Sequence, residues 1–239
     1  MPVEPARMTR VWLEHSMPRQ SKQALTTFEK SPHVVAPQQR RSREALAKII
    51  AAADKILRAE GLAGLSMIAV SEAAGVPIGN IYRRFRSKED ILLALKEEVT
   101  NRVEDAVLAG VTAAPFKDVA ALVHQFAKSA AGAFSTDAAL HRVLLATTTT
   151  TPRLWKIGSS ARGRVFSTYQ TTLVPLLAPI EKARAALAAE VSFEIVMNAM
   201  VGKARGEDVL LASMSWRNAE HEFAAAAIAY LAGLRTRRT

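Results

Sequence analysis

The stretch Gly75 to Asp90 reads "GVPIGNIYRRFRSKED", placing three arginines and a lysine around one tyrosine and a few apolar residues. Such a set suits a polyanion: Arg and Lys meet phosphate, Asn and Arg match the donors and acceptors on base edges, and Tyr adds a hydroxyl. On a helix of about 100° per residue with Ile81 inward, Phe85 lies about 40° away, and the two form an apolar anchor. Gly79, Arg83 and Arg86 then fall near the opposite side, with Tyr82 and Asn80 at its edges. Little bulk at the start of this face and strong charge at its end suit a helix entering a major groove. Gly79 permits close approach, Asn80 offers a bidentate pair to adenine, Arg83 reaches guanine or a phosphate, and the later Arg and Tyr side chains reach phosphates. Taken alone, the arginines would equally suit a solvated helix surface and Tyr82 plain packing, so the reading depends on the elements that hold them.

Those elements are legible. Ser42 caps a first helix in which Leu46, Ile49, Ile50, Ala53, Ile56 and Leu57 recur at spacings of three and four, stopping at Gly61. Ser66 caps a short second helix with Met67, Val70, Ser71 and Ala74 inward, ended by Gly75. Pro77 suits the first turn of a third helix, predicted to end near Arg86. Ser87 to Asp90 forms a capping box opening a fourth helix that carries Ile91, Leu92, Leu95 and Val99 and runs to about Ala109. A short helix, a tight turn and a second helix with a basic face make a helix-turn-helix pattern.

This segment, Gly61 to Leu95, resembles the DNA-binding region of the tetracycline-repressor (TetR) family of bacterial transcription regulators. The match lies in Ala74-Gly75-Val76, in Gly79-Asn80-Ile81-Tyr82-Arg83-Arg84-Phe85 and in Lys88-Glu89, with the flanking helices extending it over about Ser42 to Leu95. The resemblance implies phosphate contacts from Ser66, Tyr82 and Lys88 and base-edge contacts from Ile78 to Arg83, so the expected DNA-binding set is Ser66, Ile78, Gly79, Asn80, Tyr82, Arg83, Arg86 and Lys88. A cation at Lys88 opposes the helix dipole, a mismatch that a nearby phosphate relieves. Two positions depart from the family pattern: Pro77 stands where a capping Ser is frequent, and Ile78 where a Lys is common. Ile78 can meet a thymine methyl or lie half-buried.

The rest of the chain reads as helices at about 115–134, 137–148, 152–177, 181–204 and 212–234, with Thr147 to Thr151 as a loop or frayed end and Pro175 and Pro179 as breakers. The expected fold is all-α: a basic, mostly disordered arm over residues 1–41, a helix-turn-helix domain over 42–88, and a helical effector-binding and dimerisation domain over 89–239. The apolar stripe Trp216, Phe223, Ala227, Tyr230, Leu231 and Leu234, with the small-residue run Ala183 to Val201, satisfies either an intramolecular core or, as the resemblance implies, a four-helix interface with a second copy. The resemblance further implies an effector pocket in the middle helices, with Phe126, Phe134, His141, Trp155, Phe166, Tyr169, Gln170, Met197, Asn198 and Met200 as candidate lining and plain core as the alternative for each.

Composition bounds the function. The 239 residues carry 32 Lys and Arg against 22 Asp and Glu, a formal charge of +10, which favours polyanionic partners. The arm alone holds seven Lys/Arg against three acids and is expected to add salt-sensitive, sequence-independent affinity, the alternative being a non-native remnant or a start placed too early, with Met8 or Met17 as later starts. Zero cysteines removes disulfides and thiolate chemistry and fits a reducing, cytoplasmic setting. No uninterrupted apolar run approaches the roughly 20 residues of a membrane span. The five histidines are scattered, with no HExxH or GxSxG spacing, so no enzyme, metal or cofactor is expected. The expected function is a homodimeric transcription regulator, a repressor released from a palindromic double-stranded operator by a small-molecule effector. The alternatives are a helical DNA-binding regulator without a ligand and a helical enzyme.

Overall fold

The computed structural model describes residues 31–34, 40–113, 115–148 and 151–236. It is all-α, with no strand among the described residues, in ten helices: α1 (Arg40–Gly64), α2 (Met67–Ala74), α3 (Ile78–Tyr82), α4 (Lys88–Val111), α5 (Val119–Ser135), α6 (Ala138–Thr148), α7 (Pro152–Leu176), α8 (Lys182–Arg205), α9 (Val209–Ser213) and α10 (Trp216–Thr236). The chain divides into two units, one comprising the residues up to Ile56 together with Ala63–Glu98, the other Leu57–Leu62 with Val99 onward.

In the first unit the α1 periodicity does what its spacing demands: Leu46, Ile49 and Ala53 are fully buried. Non-helical backbone at Gly61 (φ 66°) kinks α1 within its last turn. Ser66 caps α2, its Oγ accepting from the Ala69 N–H at 3.1 Å, a contact worth about 1 kcal/mol. Gly75 closes α2 in the left-handed region (φ 61°, ψ 35°), and its N–H reaches the Ser71 and Glu72 carbonyls; a Cβ there would be strained whatever the space. The Ser71 hydroxyl then donates to the Val76 carbonyl at 2.7 Å, fixing the turn that leads into α3. Most of the proposed arm lies outside the described residues, but Ser31 and Val34 within it are buried. Ser31 donates to Glu97, and His33 Nε2 stands 3.3 Å from the same carboxylate.

The second unit is organised around α8, which packs against α5, α6, α7, α9 and α10, while α10 also lies along α5. By length and apolar content α8 alone among the described helices could cross a membrane, yet Ala185, Ala189, Phe193, Val196 and Met200 along it are buried in the core. The predicted last helix, 212–234, begins later, at Trp216, and a separate short helix precedes it: α9 is capped by Asp208, which accepts from the Leu210 and Leu211 N–H groups. The break is held by Lys203, a buried cation whose Nζ donates to the Leu211 carbonyl at 2.9 Å and to that of Met214 and sits 5.0 Å from the Trp216 ring centre. Burial lowers its pKa. The expected 115–134 helix begins later, at Val119, because Asp118 caps it by accepting from Ala121 at 2.7 Å. Pro175 ends α7 within a residue or two.

Two ion pairs lock this unit. Arg164 on α7 forks onto Glu104 of α4 at 2.5 and 2.7 Å. Arg58 forks onto Asp137, its Nη2 at 2.7 Å. Burial alone would raise the Asp137 carboxyl, but the hydrogen bond and charge of Arg58, with Arg102 and His141, outweigh it and hold the group below the ordinary range.

Candidate nucleic-acid interface

The α3 segment divides by face as its spacing dictates. Ile81 and Phe85 are fully buried, each contributing about 1.5–3 kcal/mol of apolar burial. Ser66, Ile78, Gly79, Tyr82, Arg83, Arg86 and Lys88 are exposed, and Asn80 is half-buried. Tyr82 is 53% exposed and Ile78 39%, so Ile78 belongs to the outer surface more than to the core. Around Gly79, the position of a Cβ meets no atom within 4 Å, so the backbone there is open to approach.

The helix is shorter than its pattern suggested. Pro77 serves as N-cap rather than first-turn residue, and the helix ends at Tyr82 instead of near Arg86. The Arg84 and Phe85 N–H groups still reach the Ile81 carbonyl at 2.8 and 2.9 Å, which keeps Phe85 pointed inward. Beyond it the capping box of α4 takes over: the Asp90 N–H donates to Ser87 Oγ at 3.4 Å, and the Asp90 carboxylate accepts from the Arg86 N–H at 3.0 Å. The chain is thus pinned on both sides of Phe85 while Arg83, Arg86 and Lys88 extend outward. Arg84 is half-buried instead; burial first, then the charge of Arg83, lowers its pKa. One contact joins two of the outward residues to each other: Arg83 Nη2 donates to Asn80 Oδ1.

Residues 49–95 match the family described as bacterial regulatory proteins, tetR family. The chain carries a TetR-family DNA-binding domain. No curated protein matches it in sequence. Solved structures share the TetR-type fold over most of its length. A candidate transcriptional regulator from Pseudomonas aeruginosa PAO1 covers 88% of this chain and 95% of its own at 17% identity and TM-score 0.59. A candidate TetR-family regulator from Mesorhizobium loti covers 82% and 98% at 20% identity and TM-score 0.61. The multidrug binding protein EbrR, complexed with imidazole, covers 81% and 96% at 20% identity and TM-score 0.54.

The candidate effector residues of this TetR-type chain are only partly brought together. Phe126, Phe166 and Tyr169 gather around Phe193 with ring centres 4.7–5.8 Å apart. The buried Tyr169 hydroxyl lies 3.0 Å from Ser192 Oγ, which itself donates to the Ala189 carbonyl, so the tyrosine is the donor. Burial pushes the phenol up to about 12, against a smaller downward pull from Ser192. Phe134 packs on His141 at 5.1 Å, Gln170 reaches the Ala186 carbonyl at 3.4 Å, and Met197 and Met200 are core. Two candidates lie elsewhere: Trp155 is 61% exposed, and Asn198 is exposed, held by Arg162 at 2.9 Å and Glu194 at 2.6 Å. An open cavity of about 450 Å³ has none of the ten in its lining, which includes the apolar Val119, Leu177, Ile228 and Leu231 and the oppositely charged Lys117 and Asp118. Of the stripe from Trp216 to Leu234, Ala227 and Leu231 are buried in the unit's own core, while Trp216, Phe223, Tyr230 and Leu234 are partly buried against it.

Proposed function

We propose that this protein is a homodimeric, ligand-responsive repressor that binds a near-palindromic operator through Ser66 and Ile78 to Lys88. The observation that carries this reading is the division of α3, with Ile81 and Phe85 sealed inside while Gly79, Tyr82 and Arg83 face out within a TetR-family domain. One recognition helix reads one half-site, so a second copy about 34–36 Å away, one turn of DNA, supplies the other half. The exposed Leu187 of α8 and Ala225, Ala226 and Ala229 of α10 are apolar surface that such a pairing would cover. An effector that binds best to a dimer with its reading heads at another spacing lowers operator occupancy by shifting the population. The imidazole-bound structural neighbour supports a small molecule as that effector.

The test is an electrophoretic shift on DNA upstream of the protein's own gene. Tyr82→Ala combined with Arg83→Ala is expected to abolish the retarded band with folding intact, and an unchanged band counts against the assignment. A second reading, a regulator without a ligand, is favoured by the aromatic candidates that pack against one another. A bound effector raises the melting temperature by mass action, so a flat response to a metabolite panel would support that alternative.

A further inference from the structure

Resting on the DNA-binding reading, we infer that Asn80 and Arg83 act as one unit that reads guanine, with Asn80 as the positioning residue. The two residues stand three apart on α3, the spacing at which helical side chains meet, and Arg83 Nη2 donates to Asn80 Oδ1. Recognition of adenine by asparagine needs both halves of the amide, the oxygen to accept from N6 and the nitrogen to donate to N7. Here one of the oxygen's two lone pairs is taken by Arg83. What the pair presents outward is weighted towards donors: the Asn80 amide hydrogens and the remaining guanidinium N–H groups.

Among base edges in the major groove, guanine alone offers two adjacent acceptors, N7 and O6; adenine and cytosine each present a donor amino group, and thymine a single acceptor beside a methyl. A donor-rich pair therefore favours guanine over adenine. Holding the guanidinium in place before binding leaves fewer rotamers to freeze on the duplex, which is the contribution of Asn80. Gly79 beside it leaves room for the base edge.

The test selects duplexes from a randomised pool with the full-length protein, then measures the affinity ratio between the selected operator and one with a single base exchanged. The wild type is expected to enrich a fixed guanine in each half-site, and exchanging it for adenine, or for 7-deazaguanine, to cost about tenfold or more. Arg83→Ala should bring the guanine-to-adenine ratio close to one. Asn80→Ala should shrink that ratio while leaving the arginine in place, and the double variant should match Arg83→Ala alone. A fixed adenine whose selection is lost in Asn80→Ala and kept in Arg83→Ala would overturn the assignment, as would a guanine preference indifferent to Arg83→Ala. A pool that never enriches would sink the DNA-binding reading itself, and this one with it.

Discussion

Gly79 separates stability from recognition more cleanly than any charged neighbour. It is helical, exposed and has open space where a Cβ would go, so the side chain of Gly79→Leu starts without a clash at Cβ and gains helix propensity, up to about 1 kcal/mol. The variant should melt at or above the wild-type temperature while losing duplex affinity by about tenfold or more, as bulk holds the helix off the groove floor. A melting temperature well below the wild type would mean that the position packs against the protein. Tyr169 is the second diagnostic residue. Its folded pKa, about 12, lies above the ordinary 10.0, so the neutral form is favoured by folding. The stabilisation is fully present below pH 10 and is lost as pH rises towards 12, at up to about 1.4 kcal/mol per unit. Urea unfolding at pH 9 and 11 should show a steeper loss for the wild type than for Tyr169→Phe, and equal slopes would count against the buried phenol.

Among the elements, the approach of α4 to α5 is set by Gly110, where a Cβ would stand 1.9 Å from Ser129 Oγ and 2.8 Å from Ser129 Cβ. Rotating the serine relieves the first distance but not the second. Gly110→Ala should therefore cost about 1–3 kcal/mol, with part of the loss recovered by adding Ser129→Gly; an unchanged unfolding midpoint would refute the close crossing. The sequence pattern predicts an end to the fourth helix just before Gly110, whereas the helix runs through it to Val111; a lone glycine declares neither its neighbour nor its distance. What could be read from the sequence was local: the Ser66 cap, the Gly75 turn and the Ser87 to Asp90 box each involve residues within four of one another. The early end of α3 was not legible, since Arg83 to Arg86 keep a helical pattern while the capping box downstream draws the Arg86 N–H to Asp90. Nor was the split between α9 and α10, which depends on a lysine eight and eleven residues upstream of the carbonyls it meets. From Ile78 to Arg83 the expected DNA-facing residues are exposed, with Asn80 half-buried, because one period sets them against the buried Ile81; the effector candidates scattered, because apolar spacing alone does not tell a lined chamber from a filled one.

For the molecule as a whole, the +10 charge promises salt-sensitive attraction to any duplex, so sequence preference has to come from the few groups set to meet base edges, Ile78, Gly79 and the Asn80–Arg83 pair. The second unit has its own long-range tie in Lys203, whose amine is occupied by two carbonyls and an aromatic face. An acylating reagent applied to the native protein should modify solvent-facing amines such as Lys88 and Lys117 and spare this one, as peptide mass spectrometry of the digest would reveal. Modification of Lys203 as fast as Lys88 would contradict its carbonyl cage. Its slow labelling then becomes a built-in clock, timing how often the segment from Val209 to Trp216 peels away and returns.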